Sequence, residues 1–204
     1  MGMIISHRHR FIFIKTRKTA GTSIEIFLSQ HAGEDAIVTP ILPHVEPHRA
    51  RNHEGFVNHI KGSAIRERVG SDVWENYFRF CVERNPWDKT LSYYHMQKFR
   101  SGGTLTLEQY LESDDWCVDH PAYTEPDDPT RLLVHRVLRY ERLTEDLTEL
   151  FGQLGVPFTG SLGVLAKSEY RDDRRPYREV FTPEQAARVG DAFRVERELF
   201  GYGY

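Results

Sequence analysis

Three apolar, β-prone runs, each followed within a few residues by a stretch of helical periodicity, constrain this chain most. Residues 11–15 form the first run, and 22–30 then place Ile24, Phe27 and Leu28 at i, i+3 and i+4. The run YFRFCVER (77–84) is followed by Pro86, a residue suited to a first helical turn, and by a helical pattern over 87–99. HRVLRY (135–140) is followed by a helix over 143–154 that Gly155 closes. Buried strands that alternate with helices predict an α/β fold, with a mostly parallel central sheet flanked by helices on both faces.

Between these units, 60–69 reads as a helix stopping at Gly70, and 106–112 as a short helix. A last helix starts at Thr182-Pro183-Glu184 and runs to about Phe200. Residues 32–58 read as irregular, 113–130 as an acidic loop and 167–180 as a basic one. With no repeat, low-complexity linker or composition break, the expectation is a single domain over 1–204. Lys and Arg total 27 against 30 Asp and Glu, a net charge of −3, which argues against a general nucleic-acid binder. Cys81 and Cys117 cannot form a disulfide framework, so a reducing compartment fits. No apolar stretch has the length of a membrane span and no signal peptide is visible, so the expected location is cytoplasmic. Gly2 and Ser6 match a loose myristoylation pattern, but that segment runs straight into a strand.

In sheets of this kind, ligands sit outside the carboxyl ends of the strands. The loop after the first run, Lys15-Thr16-Arg17-Lys18-Thr19-Ala20-Gly21-Thr22-Ser23, combines cations, hydroxyls and a glycine just before a helix start. Glycine lets backbone approach a ligand, and a helix N-terminus offers unpaired N–H groups to an anion. This is phosphate-binding chemistry, yet not a Walker A loop, because Gly21 is followed by Thr22 rather than lysine. A solvated basic turn is the plain alternative. The second run ends in Arg84-Asn85-Pro86-Trp87-Asp88-Lys89-Thr90-Leu91-Ser92. A guanidinium leaving a strand end can grip a second phosphate through paired hydrogen bonds, or else bond Glu83 or Asp88.

KTAGTS (18–23) after one strand, with RNPWDKTLS (84–92) after another, resembles the carbohydrate-type family of PAPS-dependent sulfotransferases, which have a P-loop NTPase-like fold. HIKGSAIRERVG (59–70), VLRYERLTEDLTELFGQLGV (137–156), RRPYREVFTPE (174–184) and ELFGY (198–202) are similar to further segments of that family. The resemblance fades over roughly 30–58 and 100–130. It implies a sulfuryl group moved from 3′-phosphoadenosine 5′-phosphosulfate (PAPS) to the hydroxyl of a carbohydrate or small-molecule acceptor, releasing PAP. Lys18 would stabilise the leaving oxygen, and Thr19, Ala20, Gly21, Thr22 and Ser23 would hold the 5′-phosphate. Arg84 and Ser92 would hold the 3′-phosphate. Arg17 stands where the family often has proline and could add a phosphate contact. No metal is required, because cations and a helix N-terminus supply the positive field.

The acceptor hydroxyl needs a base, and histidine titrates in the right range. His44, His48, His53 and His59 are candidates, and His59 is favoured because it opens a family-like segment. Glu46 and Glu54 are weaker candidates. The same histidines read less well as zinc ligands, since their spacing is irregular and no cysteine is near. Arg171, Arg174, Arg175 and Arg178 could close over the nucleotide or form a solvated loop. Trp87, Tyr93 and Tyr94 read as core, with one aromatic free to stack on adenine. The acidic stretch 112–128 would repel a highly sulfated polymer, which favours a neutral or cationic hydroxyl compound or a lightly charged sugar. A nucleotide kinase-like phosphotransferase and a non-catalytic PAP-binding protein are the rival readings.

Overall fold

The computed structural model describes residues 2–56, 60–164, 170–171 and 173–204. It is an α/β protein with one five-stranded sheet, in the order β3-β1-β2-β4-β5. The strands are β1 (Met3–Ser6), β2 (Phe11–Ile14), β3 (Ile37–Val38), β4 (Phe78–Glu83) and β5 (Arg136–Arg139). The helices are α1 (Gly21–His31), α2 (Gly62–Asn76), α3 (Pro86–Arg100), α4 (Leu107–Glu112), α5 (Leu143–Leu154), α6 (Pro183–Ala192) and α7 (Arg194–Phe200).

The sheet is mixed rather than mostly parallel. β2 pairs with β4, and β4 with β5, in parallel; β1 runs antiparallel to both β2 and β3. The parallel half is the part that the three apolar runs foretold. The antiparallel half comes from β1, which a tight connection rather than a helix follows, and from β3, which is two residues long. β1 and β2 are joined through His7-Arg8-His9-Arg10, with Arg10 at φ 51°, so a non-glycine residue takes the left-handed position that normally announces a hairpin. Two helix boundaries also differ. α2 continues past Gly70, which bends the chain at φ 77°, ψ 162°. The C-terminal helix is two helices, broken at Phe193.

The chain divides into two compact units, Met1–Glu83 with Pro121–Ala166, and Arg84–His120 with Lys167–Tyr204. The first holds the whole sheet. Strand side chains alternate between faces. Phe11 and Phe13 of β2, Phe80 and Val82 of β4, and Leu138 of β5 form one core with Ile24 and Leu28 of α1 and Leu147, Leu150 and Phe151 of α5. Ile12, Ile14 and Cys81 point to the other face and are fully buried. There α2 begins so close that a Cβ on Gly62 would lie 2.9 Å from the Ala122 carbonyl oxygen and 3.2 Å from Ile14 Cδ1. Both faces of the sheet are thereby covered.

The second unit is built on α3, α4, α6 and α7 around Trp87, Leu91, Tyr110, Val189 and Phe193. Asn85 caps α3 by accepting from the N–H groups of Trp87 and Asp88, with Pro86 in the first turn. Thr106 and Thr182 each open a helix with a reciprocal capping box, closed by Gln109 and Gln185. The unit also buries charge. Lys89 Nζ lies 3.0 Å from Asp119 Oδ2, and both side chains are fully excluded from solvent. Glu196 accepts from the backbone N–H groups of Asp119 and His120 at 3.1 and 3.2 Å.

Candidate functional site

The loop between β2 and α1 is bent by two non-glycine residues with left-handed backbone, Lys18 at φ 61° and Ala20 at φ 59°. Such conformations carry a cost, and successive turns of this kind aim backbone N–H groups into a concavity that suits an anion. Ala20 occupies the N-cap position of α1 and offers no side-chain cap, and the first turn of the helix has no acidic residue. Neither a side-chain cap nor a first-turn carboxylate of α1 itself satisfies those N–H groups. Gly21 is required by a close approach: a Cβ there would lie 2.6 Å from Lys15 Cγ and 3.1 Å from the Thr16 carbonyl oxygen.

Hydroxyls fix the loop. Thr16 Oγ1 donates to the Val82 carbonyl oxygen of β4 and lies 2.9 Å from Thr19 Oγ1. Thr19 also donates to the Thr16 carbonyl oxygen at 3.2 Å. Thr19, Thr22 and Ser23 are buried, while Arg17, Lys18 and Ala20 are half-buried. Behind the loop, Lys15 Nζ is 2.6 Å from Glu25 Oε2. Glu25 is fully buried, and burial, its largest influence, raises its pKa above the ordinary carboxylate value despite the lysine. Glu25 Oε1 and His48 Nδ1 are buried and have no hydrogen-bond partner among the described residues.

The second loop belongs to the other unit and is built differently. Arg84 donates to Asp88 Oδ2 through Nε at 2.9 Å and Nη2 at 2.6 Å. Arg171 Nη1 donates to Asp88 Oδ1 at 2.7 Å, so one carboxylate holds two guanidiniums. Burial acts to raise the Asp88 pKa, but the charge of Arg84 and the bonds from both arginines outweigh it and hold the carboxyl below its ordinary range. Ser92 lies one turn beyond Asp88 on the same helix and is half-buried. The alternative of an Arg84–Asp88 ion pair, open in the sequence, is thus realised, with Arg171 added to it.

Of the candidate bases, His59 lies outside the described residues. His48 is buried and its Nε2 is 2.9 Å from the Thr39 carbonyl oxygen. His44 is exposed, with Nε2 2.8 Å from Glu46 Oε1. Among the described residues, no group of three His, Cys, Asp or Glu side chains is assembled to hold a metal ion. Arg174 and Arg178 are exposed, and Arg175 pairs with Asp173 at 2.7 Å. Trp87 stacks on Tyr177 with ring centroids 6.2 Å apart, inside the core of the second unit.

Three pairings had no signature in the sequence, although Lys15 and Arg171 stand out there as loop cations. Lys15 and Glu25 meet across ten residues of strand end, loop and helix, a separation that no motif marks. Arg171 reaches Asp88 from 83 residues away. Glu83, the last residue of β4, is buried and accepts a 2.9 Å hydrogen bond from the hydroxyl of Tyr123. No helix among the described residues is long and apolar enough to cross a membrane.

No family model matches the chain, and no solved structure matches it. A protein of Archaeoglobus fulgidus, described as uncharacterized, is 34% identical over 97 residues, covering 46% of this chain and 80% of that protein. The chain belongs to the same family as that archaeal protein.

Proposed function

We propose that the chain is a PAPS-dependent sulfotransferase with a P-loop NTPase-like core. The observation that carries this reading is the β2–α1 loop, in which Lys18 and Ala20 take left-handed backbone immediately ahead of a helix N-terminus without a side-chain cap. Arg17 to Ser23 take the 5′-phosphosulfate there. Arg84, held in place by Asp88, and Ser92 take the 3′-phosphate. The two carboxyl ends from which these loops depart belong to neighbouring parallel strands, since β2 pairs with β4 from Phe11↔Phe78 to Phe13↔Phe80.

Sulfuryl transfer is an in-line displacement, in which positioning and charge stabilisation supply most of the catalysis. Negative charge gathers on the oxygen that bridges sulfur and the 5′-phosphate. Lys18 and the first N–H groups of α1 lower the energy of that charge without reorganising. The acceptor is a hydroxyl of a sugar or small molecule.

Thermal unfolding tests the reading, with PAP and separately with ATP–Mg²⁺, on wild type and Arg84→Ala. PAP at about 100 times its Kd adds roughly 2.7 kcal/mol to wild type. Arg84→Ala loses most of that gain. Stabilisation by ATP–Mg²⁺ and not by PAP assigns the chain to phosphoryl transfer instead.

A further inference from the structure

Building on the sulfotransferase reading, we propose that Lys15 and Glu25 are positioning residues for the β2–α1 loop: their ion pair clasps the strand end to the helix and aims the loop's N–H groups before the 5′-phosphosulfate arrives. Lys15 directly follows β2, and Glu25 lies in the second turn of α1. Thr16 to Ala20 lie between the strand end and the helix, so the pair closes the loop from behind. The lysine stem takes a defined path. A Cβ on Gly21, the first residue of α1, would lie 2.6 Å from Lys15 Cγ and 3.3 Å from Lys15 Cδ. The stem therefore runs against the first turn of the helix, and its Nζ meets Glu25 Oε2 at 2.6 Å one turn further on.

Both ends of the clasp are themselves fixed. The Lys15 N–H donates to the Gly2 carbonyl oxygen at 3.1 Å, next to the Met3↔Ile14 pair of β1 and β2. Glu25 belongs to a run of α1, Gly21 to Ser29, in which every residue is buried. The segment between them is strained. Lys18 and Ala20 hold left-handed backbone, a conformation that persists where the surrounding structure over-determines it. Thr16 is tied to Val82 and to Thr19, and the Ala20 carbonyl oxygen accepts from the Ile24 N–H at 3.1 Å. Those bonds hold the interior of the loop, and Lys15–Glu25 joins its two ends.

As a source of stability the pair is a poor choice. Glu25 is fully buried, its Oε1 has no hydrogen-bond partner among the described residues, and burial raises its pKa by disfavouring the ion. Exchanging a buried ion pair for apolar groups is close to neutral for folding. Two opposite charges in contact also add little net field at a bound anion, so the pair acts on the ligand through geometry. Donors that are already aimed bind more tightly, because no ordering is left to do at binding.

A double-mutant cycle on PAP affinity, measured by calorimetry, tests the clasp with Lys15→Met, Glu25→Leu and the two combined. Each single variant is expected to weaken PAP binding by about tenfold, and the combined variant to be no weaker than either, because each removes the same constraint. The melting temperature of the unliganded combined variant stays close to that of wild type. A lysine that binds the anion by its own charge gives opposite signs instead: Lys15→Met weakens PAP, while Glu25→Leu leaves the lysine charge uncompensated and strengthens it. That outcome overturns the proposal. So does wild-type PAP affinity in the combined variant, which makes the pair a support for the fold alone, and so do losses that multiply. If Lys15→Met, with Glu25 left bare, does not fold, Glu25→Leu is compared with the combined variant, and a further loss in the latter overturns the clasp. Wild type that binds no PAP removes the sulfotransferase reading. The cycle is then read with inorganic pyrophosphate, and absence of binding or of coupling there overturns the clasp as well.

Discussion

Lys89→Met isolates the buried charge that anchors α3. Lys89 and Asp119 are fully excluded from solvent and 3.0 Å apart. Methionine keeps the unbranched stem and removes the ammonium, so Asp119 is left buried without its counter-ion. Breaking a buried pair from one side costs about 3–5 kcal/mol. Against a whole-domain stability of about 5–15 kcal/mol, that is a large fraction. Urea unfolding followed by tryptophan fluorescence reads it directly, because Trp87 lies in the same core. With a slope of about 2 kcal/mol per molar, the midpoint falls by roughly 2 M. The double variant Lys89→Met with Asp119→Leu recovers most of the loss, since a buried pair exchanged for apolar groups is close to neutral. Acid adds a second readout. Burial acts to raise the Glu196 pKa, but the hydrogen bond from His120 and the charges of Lys89 and His120 outweigh it and depress it below its ordinary value. A depressed carboxyl contributes stability above its unfolded pKa and loses it as pH falls through the folded one. Wild type therefore destabilises at acidic pH, below the ordinary glutamate range, and Lys89→Met, lacking one cause of the depression, shows a shallower loss there. A midpoint shift equivalent to less than 1 kcal/mol, or a double variant no better than the single, refutes the reasoning.

Two further outcomes concern the β2–α1 loop. On the proposed sulfotransferase reading, Lys18→Ala is expected to slow PAPS turnover by roughly 10²–10³ while PAP still stabilises the protein, because the lysine would act on charge that develops only during transfer; equal losses in binding and rate would contradict this. Glu25→Gln tests the buried carboxyl beneath the loop, whose pKa burial raises. A raised carboxyl contributes stability that is present below its unfolded pKa and lost as pH rises through the folded value. The melting temperature of the variant relative to wild type consequently rises with pH, and a difference independent of pH rules the account out.

The sequence carried the parallel half of the sheet because β2, β4 and β5 are apolar runs with helices behind them, a pattern that periodicity detects. It did not carry β1 and β3. Met3–Ser6 is buried throughout, but no helix follows it before β2, so the strand–helix alternation that marks β2, β4 and β5 is absent there. Ile37–Val38 is a strand only because β1 supplies its partner, which is tertiary information. The break between α6 and α7 was hidden for a different reason. Phe193 sits in the core while it leaves helical geometry, and burial preserves the apolar stripe through the break. At the site, the residues flagged from local pattern, Lys18 to Ser23 and Arg84, lie in loops that open helices. Asp88 holds Arg84 from the same segment, but other partners lie elsewhere: Glu25 holds Lys15, Val82 holds Thr16, and Arg171 joins Arg84 on Asp88.

That division has a physical cause and a consequence. Anion-binding loops are legible because backbone geometry and local charge produce the chemistry, and both are encoded within a few residues. Acid–base groups are not, because what qualifies a carboxylate is its environment, which long-range contacts assemble. Glu25 and Glu83 illustrate the point from one unit of the fold. Both are buried glutamates; one is tied to a lysine, the other to a tyrosine hydroxyl. The lysine neutralises the charge of Glu25 and leaves a structural pair behind the loop. The Tyr123 hydroxyl adds a hydrogen bond and no charge, so the two glutamates differ in this partner and not in residue type.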